Sequence, residues 1–212
     1  MRIELSKASK IIIKIGSSII DNRDEMIING ICASITKFLE ENKEVILVTS
    51  GAISQGMKVM DIQNKPKDIK KLQSLAAVGQ QKLMLMYEKI FSEHEFQTAQ
   101  VLITHNDIND RVRYLNIKGT LEELLNNGVI PIINENDVVS TEEIKFGDND
   151  NLASMIANLV DADLLIILTD QKGMYDKNPD SYKDAKLINR IDIENLKDFD
   201  SDFSTQSEIG TG

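Results

Sequence analysis

Short runs of β-branched and other apolar residues alternate along this chain with longer amphipathic stretches, and this alternation limits the possible folds most. The short runs predict strands at 11–15, 45–48, 99–103, 129–133 and 164–168. The longer stretches predict helices at 25–41, 67–91, 111–127 and 150–160, and residues 138–146 predict a short exposed hairpin. Because most strand runs are continuously apolar, both faces of the sheet should be buried. We therefore expect an α/β fold, with helices on both faces of a mainly parallel open sheet.

The length of 212 residues is enough for one sizeable core. No internal repeat, low-complexity tract or Pro/Gly-rich linker divides the chain. We therefore predict a single domain over residues 1–212.

Charge and cysteine content argue against several classes of protein. The formal net charge of −10 argues against a surface for nucleic acid or anionic membranes. The only cysteine, Cys32, falls in a helical pattern and is expected to be a small buried hydrophobe, so no disulfide or cysteine-rich zinc site can form. No signal peptide opens the chain, and no apolar run reaches the ~20 residues of a transmembrane helix. These features predict a cytoplasmic protein.

Polar residues follow Gly147 directly and precede an apolar helical run. They are Asp148, Asn149 and Asp150. Asp and Asn favour turns and helix N-caps, so capping alone is one explanation. Capping does not require three consecutive amide or carboxylate groups, and we therefore favour a site for a ligand or ion.

The first two strands also end in residues that suit anion binding. Gly16 and Ser17 form a small turn whose N–H groups could hold a phosphate, with Lys14 nearby. Equally, the turn could be an ordinary one and Lys14 an edge-strand lysine. The second strand ends in the small residues 49–52, which could contact an anionic ligand or contain an ordinary N-cap at Ser50.

Two later strand ends are polar as well. Residues 134–137 are all polar where the fourth strand ends, which favours a site over a simple connection. Thr169 and Asp170 follow the fifth strand, and the turn-rich loop 173–179 is able to flank a base and ribose. His94 and His105 are too few for a zinc site and are expected to be surface or cap residues. No GxxxxGK[ST] loop is present, and no GxGxxG follows a strand.

Six segments together resemble one known family, in order and over the whole chain: 14–18, 48–53, 110–116, 131–137, 146–152 and 168–173. They are similar to those of the glutamate 5-kinases, which belong to the amino-acid kinase superfamily. The segments at 14–18 and 168–173 are shared widely in the superfamily. The joint occurrence of Asn-Glu-Asn-Asp at 134–137 and Gly-Asp-Asn-Asp-Asn at 147–151 is specific to the glutamate 5-kinases.

The resemblance implies ATP-dependent phosphorylation of the side-chain carboxylate of L-glutamate to γ-glutamyl phosphate, the first step of proline biosynthesis. It also implies an αβα sandwich, ATP with Mg²⁺, assembly into a homotetramer, feedback inhibition by proline and transfer of the product to γ-glutamyl phosphate reductase. No metal-ligating residue is assigned.

The same resemblance implies roles for individual residues. Lys14 would contact the nucleotide phosphates, and Asp150 would organise the catalytic lysines. The glutamate would be bound by Ser50, Asp137 and Asn149. The nucleotide site would contain Lys14, Gly16, Ser17, Thr169, Asp170, Thr211 and Gly212.

The chain departs from the family pattern at two places. The family continues beyond the segment matching 210–212 with a Gly-Met-x-Thr-Lys motif, a further strand and a helix, and many members carry a C-terminal PUA domain. Because that lysine is the second catalytic cation, we expect this chain by itself to bind glutamate but to transfer phosphate poorly. Asn178 stands where the family commonly has Asp before proline, which weakens the match near the ribose.

Two alternatives stay open. One is a related kinase that acts on another substrate, such as acetylglutamate or a nucleoside monophosphate. The other is a non-catalytic module that binds an amino acid or a nucleotide.

Overall fold

The computed structural model describes residues 5–21, 25–140, 149–179 and 181–191. Its centre is a sheet of five parallel strands in the spatial order β3-β4-β2-β1-β5. The strands are β1 Lys10–Ile15, β2 Glu44–Thr49, β3 Gln97–Ile103, β4 Val129–Glu135 and β5 Leu164–Leu168. All the predicted strands are confirmed, and β2, β3 and β4 extend slightly beyond their apolar runs.

Seven α-helices occur in the described ranges. They are α1 Ser17–Asp21, α2 Glu25–Glu40, α3 Ala52–Val59, α4 Ile69–Ser92, α5 His105–Asn109, α6 Arg111–Asn126 and α7 Asn149–Leu159. The four predicted helices are confirmed as α2, α4, α6 and α7. The other three have only five or eight residues. Helices this short contain too few turns to show the apolar repeat on which the prediction depends.

Apolar clusters cover both faces of the sheet. One cluster joins the sheet to α2 and α4, and its buried helix residues include Ile28, Cys32, Ile35, Leu83, Tyr87 and Phe91. The other joins the sheet to α6 and α7, and its buried helix residues include Leu121, Leu152, Ile156 and Leu159. The predicted three-layer αβα arrangement is therefore confirmed, and it explains why the strand sequences do not alternate.

Several smaller predictions can also be compared with the fold. Cys32 is fully buried as expected, and burial raises the pKa of its thiol to about 12. The predicted hairpin at 138–146 lies mostly outside the described residues, and its part at 138–139 is a turn. No helix in the described ranges has the length and apolar character needed to span a membrane. The assignment of residues 1–212 to a single domain stays a prediction.

The start of β1 is held beside the start of β5 by one carboxylate. Asp163 Oδ2 accepts hydrogen bonds from the backbone N–H groups of Ser9 (2.8 Å) and Lys10 (2.9 Å). These bonds favour the ionised form and lower the pKa of Asp163. At the other end of the same strand pair, Ile15 lies opposite Leu168. The register of β1 and β5 therefore determines which loop residues meet beyond them.

Helices α3 and α4 pack with their backbones in close contact, and glycine makes this possible at two positions. A Cβ atom added to Gly56 would overlap the carbonyl oxygen of Leu75, and one added to Gly79 would overlap that of Ala52. The atoms that the added Cβ would meet are backbone atoms, which cannot move aside as the end of a flexible side chain can. The contact therefore fixes α3 at one distance from α4.

We expect the variant Gly79→Ala to lower the free energy of unfolding by about 2 kcal/mol, because the added methyl group must push two helices apart. The control is Gly119→Ala, on the exposed surface of α6, where an added Cβ meets nothing within 4 Å. That change should stabilise the protein by about 0.5 kcal/mol through helix propensity. Urea denaturation of both variants measures the difference, and equal effects would contradict the close-contact explanation.

Candidate active site

The carboxyl ends of four neighbouring strands bring most of the predicted site residues to one edge of the sheet. Asp137 follows β4, Ser50 follows β2, Gly16 and Ser17 follow β1, and residues 169–170 follow β5. In the sheet these strands lie side by side in the order β4-β2-β1-β5. Ligands of open α/β sheets bind at this edge. The residues assigned to glutamate therefore lie towards one end of the edge, and those assigned to the nucleotide lie towards the other.

Lys14 lies between the two groups and is buried. Its strand β1 is central in the sheet, between β2 and β5, so the alternative of an edge-strand lysine is wrong. The Lys14 side chain is 2% exposed, and its Nζ atom lies 2.5 Å from Oδ1 of Asp150 on α7. The Asp150 side chain is 36% exposed. A buried ammonium group therefore reaches the open edge of the sheet beside a carboxylate that keeps some contact with water.

Asn149 is the first residue of α7, and its side chain contacts the strand ends. Its Nδ2 atom donates hydrogen bonds to the carbonyl oxygen of Thr49 and, over 2.9 Å, to Oδ1 of Asn134. N-capping therefore does not explain Asn149 or Asp150, because both lie inside the helix. Asp148 lies outside the described residues. The contacts of Asn149 join α7 to the ends of both β2 and β4.

The turn after β2 depends on Gly51, and the alternative of an N-cap at Ser50 is wrong. The N-cap of α3 is Gly51, which has φ 98° and forms no side-chain capping bond. A Cβ atom at Gly51 would lie 2.9 Å from Cγ2 of Ile20, so both backbone conformation and space favour glycine. Ser50 therefore lies in a sharp turn before the helix, and its side chain is half-buried.

A pair of buried hydroxyl groups joins the end of β2 to α4. Oγ1 of Thr49 lies 2.9 Å from the hydroxyl oxygen of Tyr87, on α4, and both side chains are fully buried. Burial raises the pKa of the Tyr87 hydroxyl above its ordinary value, so this group stays neutral.

The end of β4 differs from the sequence prediction. Asn134 and Glu135 were expected to emerge from the strand, but they are its last two residues and are 2% and 4% exposed. His105 was expected to be a surface or cap residue: it does lie at the start of α5, but its side chain is only 18% exposed and its Nδ1 atom lies 3.3 Å from Oε2 of Glu135. Beyond the strand, Asn136 and Asp137 are half-buried. In the polar segment 134–137, the first two residues are therefore buried in the strand, and the last two reach the site.

The other half of the edge joins the loops after β1 and β5. The N–H of Gly16 donates to the carbonyl oxygen of Leu168 over 3.2 Å, which ties the two strand ends together. Oγ of Ser18 is buried and forms no hydrogen bond in the described part of the chain. Thr169 Oγ1 donates to Oδ1 of Asp170 over 3.3 Å. The predicted nucleotide residues Thr211 and Gly212 lie outside the described residues.

A cavity of about 480 Å³ opens beside the strand ends that carry Ser50 and Asp137, between α4 and the ends of β3 and β4. Gln80, Glu135 and Asp137 are among its lining residues. Gln80 was missed in the sequence analysis, although a signal existed. It stands between Ala76 and Leu83 on the buried side of α4, where the helical pattern calls for an apolar residue. Within the described ranges, no three His, Cys, Asp or Glu side chains gather as they would around a metal ion.

The parallel sheet, its two helical layers and the polar strand ends together define an α/β protein with a site at the carboxyl edge. The amino acid kinase family model matches residues 9–212. The chain belongs to the amino acid kinase family. The crystal structure of UMP kinase from Ureaplasma parvum supports the fold, with a TM-score of 0.57 at 16% identity over 91% of this chain and 80% of that one.

Curated relatives are similar over most of the chain. The chain is 48% identical over 195 residues to the glutamate 5-kinase of Marinomonas sp. (strain MWYL1), covering 90% of this chain and 52% of that protein. It is 47% identical over 207 residues to the glutamate 5-kinase of Thermoanaerobacter sp. (strain X514), covering 96% and 56%. The resemblance found from the sequence segments is thus confirmed. The chain spans about half the length of the curated relatives it matches.

The Lys14–Asp150 pair generates a prediction about stability. In the variant Asp150→Asn, the buried ammonium group of Lys14 loses its opposite charge, and we expect the free energy of unfolding to fall by about 3 kcal/mol. Adding Lys14→Met should recover at least half of that loss, because the unpaired charge is then gone. Urea denaturation of the single and double variants is the measurement. A double variant less stable than Asp150→Asn alone would show that the pair does not couple in this way.

Proposed function

We propose that this chain forms the acid-binding and phosphoryl-transfer part of a kinase that phosphorylates the side-chain carboxylate of L-glutamate with ATP. The observation that carries the proposal is the order of groups along the sheet edge. Asp137 and Ser50 lie towards one end and Thr169 towards the other, with the buried ammonium group of Lys14 between them. The likeness to curated glutamate 5-kinases gives independent support for the substrate.

The reaction needs no general base. A glutamate side chain has an ordinary pKa of about 4.3, so at neutral pH its carboxylate is already an ionised nucleophile. One carboxylate oxygen forms a bond to the γ-phosphorus of ATP, and the bond from that phosphorus to the bridging oxygen breaks. The electron pair leaves with ADP, and the product is γ-glutamyl phosphate. The protein is left with two tasks, which are alignment of the reactants and stabilisation of negative charge.

Lys14 suits the second task. Its ammonium group is held at the boundary between the two halves of the site, where negative charge increases on the transferred phosphoryl oxygens. Asp150 would hold this ammonium group in position and would not remove a proton. We assign glutamate binding to Ser50, Asp137 and Asn149, with the carboxylate of Asp137 facing the α-ammonium group of the substrate.

The residues on the nucleotide side are compatible with phosphate. Gly16 connects β1 to α1, and Ser17, predicted in a turn, is the first residue of that helix. Lys14 supplies the positive charge, and the buried Ser18 hydroxyl has no protein partner in the described ranges. Thr169 and Asp170 would contact the rest of the nucleotide. Mg²⁺ would arrive with ATP and neutralise part of its phosphate charge.

Further properties stay predictions, which rest on the resemblance or on the charge and cysteine content of the chain. They are a cytoplasmic location, assembly into a homotetramer, feedback inhibition by proline, transfer of the product to γ-glutamyl phosphate reductase, and the absence of nucleic-acid and membrane partners. Poor phosphate transfer by this chain alone is also an expectation of this kind. Enzyme assays therefore use the complete gene product.

We expect the complete gene product to form ADP from ATP, with Mg²⁺, only when L-glutamate is present. The reason is that the polar loops around Ser50, Asp137 and Asn149, the acid-binding half of the site, match that substrate. Hydroxylamine traps the acyl phosphate as a hydroxamate, which is measured directly. The control panel contains aspartate, acetylglutamate and UMP, which should give no product. Turnover with one of these and none with glutamate would favour the alternative kinase, whereas ligand binding without any turnover would favour the non-catalytic module.

The variant Lys14→Met keeps most of the side-chain volume but removes the positive charge. Turnover should fall more than tenfold, because loss of one preorganised electrostatic group commonly costs about 3 kcal/mol of transition-state stabilisation. The matched control is Lys10→Met on the same strand, where the lysine pairs with Glu44 at the opposite end of β1. Steady-state ADP release measures both variants. Equal turnover in the two would remove Lys14 from the catalytic site.

A further inference from the structure

A row of four side-chain amides leads from the edge strand β3, through α4, to the candidate active site. Gln80 Nε2 donates to Oε1 of Gln100 on β3 over 3.2 Å. Asn134 Nδ2 donates to Oε1 of Gln80 over 2.8 Å, and Asn149 Nδ2 donates to Oδ1 of Asn134 over 2.9 Å. Three of these residues are at least nine-tenths buried, whereas Gln100 is exposed. The row therefore joins solvent to a residue that we assign to substrate binding.

Backbone groups fix the direction of this row at two points. The N–H of Glu135 donates to the side-chain oxygen of Asn134 over 2.9 Å, and a backbone N–H needs an acceptor. The carbonyl oxygen of Thr49 accepts from Asn149, so that side chain must present its nitrogen. Asn134 consequently turns its NH₂ group towards α4. Only the carbonyl oxygen of Gln80 can accept a hydrogen bond from this NH₂ group. A single orientation of the amides therefore provides all the hydrogen bonds of the row.

The orientation has a consequence for the group that Asn149 offers to a ligand. Both N–H bonds of its amide are directed to protein acceptors, Thr49 and Asn134. Its oxygen forms no hydrogen bond with other described residues and is the remaining polar atom. A carbonyl oxygen at this edge accepts hydrogen bonds and therefore suits an ammonium group. A rotated Asn149 would present N–H groups instead and would suit a carboxylate.

We propose that Gln80 is a positioning residue for substrate binding. Its carbonyl oxygen holds the Asn134 amide, and through it the Asn149 amide, in the orientation that presents the Asn149 oxygen to the ammonium group of an amino-acid substrate. Gln80 itself does not touch the substrate. A buried glutamine on the apolar side of a helix is unfavourable unless its amide is hydrogen-bonded, and this row supplies both partners. The inference rests on the proposed phosphorylation of glutamate.

The variant Gln80→Met tests the proposal, because methionine has a similar shape but lacks the carbonyl acceptor. In the complete gene product, we expect KM for glutamate to rise about five- to tenfold, as for loss of one buried hydrogen bond. The KM for ATP should stay within about twofold, because the nucleotide half is unaffected. Gln80→Leu is a second variant with the same expected result, should the first not fold.

The conservative variant Gln80→Glu distinguishes positioning from packing. Its carboxylate keeps an acceptor facing Asn134, and the exposed Gln100 amide can rotate to donate to it. KM for glutamate should therefore stay within about threefold of the unmodified value. The control is Lys82→Gln, on the exposed side of α4 and not among the residues that line the cavity; both KM values should be unchanged.

Several outcomes would overturn the proposal. These are an unchanged KM for glutamate in Gln80→Met, a parallel rise in both KM values, or equal impairment by Gln80→Glu and Gln80→Met. Failure of the proposed function looks different, because the unmodified protein would then show no glutamate-dependent ADP release. In that case the inference, which depends on that function, falls with it.

Discussion

The buried ammonium group of Lys14 is the constraint on which the site depends. A positive charge inside a parallel sheet is strongly unfavourable unless an opposite charge lies next to it. Asp150 supplies that charge from the first turn of α7, so the helix must begin where the strand ends. Asn149 then reaches β2 and β4 because it precedes Asp150 by one residue. One ion pair and two hydrogen bonds from the Asn149 amide thus hold the ends of β1, β2 and β4 in a fixed position relative to α7.

The order of strands gives this arrangement its chemical meaning. Since β1 lies between β2 and β5, Lys14 lies between residues suited to an amino acid and residues suited to a nucleotide. In the proposed reaction, a phosphoryl group that passes from one side to the other must cross the boundary beside this ammonium group. The protein would then contribute through position and charge, which is what transfer to an ionised carboxylate needs.

Much of the fold could be predicted from the sequence, because strands buried on both faces have continuous apolar sequences. The three shortest helices could not be predicted, since they contain too few turns to show the apolar repeat of a helix. Lys14 was considered beside the turn after the first strand and Asp150 in the polar run after Gly147, and the resemblance implied that Asp150 organises the catalytic lysines. The contact itself and the burial of Lys14 came from the three-dimensional structure. The His105–Glu135 contact and the role of Gln80 in the amide row depend on residues distant in sequence. Propensity and periodicity describe neighbours along the chain and give no information on such contacts. Of these residues, only Gln80 could be noticed in the sequence, as a polar residue on the apolar face of a helix.

The glycine contact between α3 and α4 has a mechanical consequence for this site. With backbone against backbone at Gly56 and Gly79, the two helices have no layer of side chains between them that could yield. The turn at Ser50 is joined directly to α3, and Gln80 follows Gly79 on α4. A movement of the turn towards a ligand must therefore carry both helices as one body, and Gln80 on α4 moves with them. Closure around an amino acid would then shift Gln80 relative to the exposed Gln100 side chain on the edge strand β3.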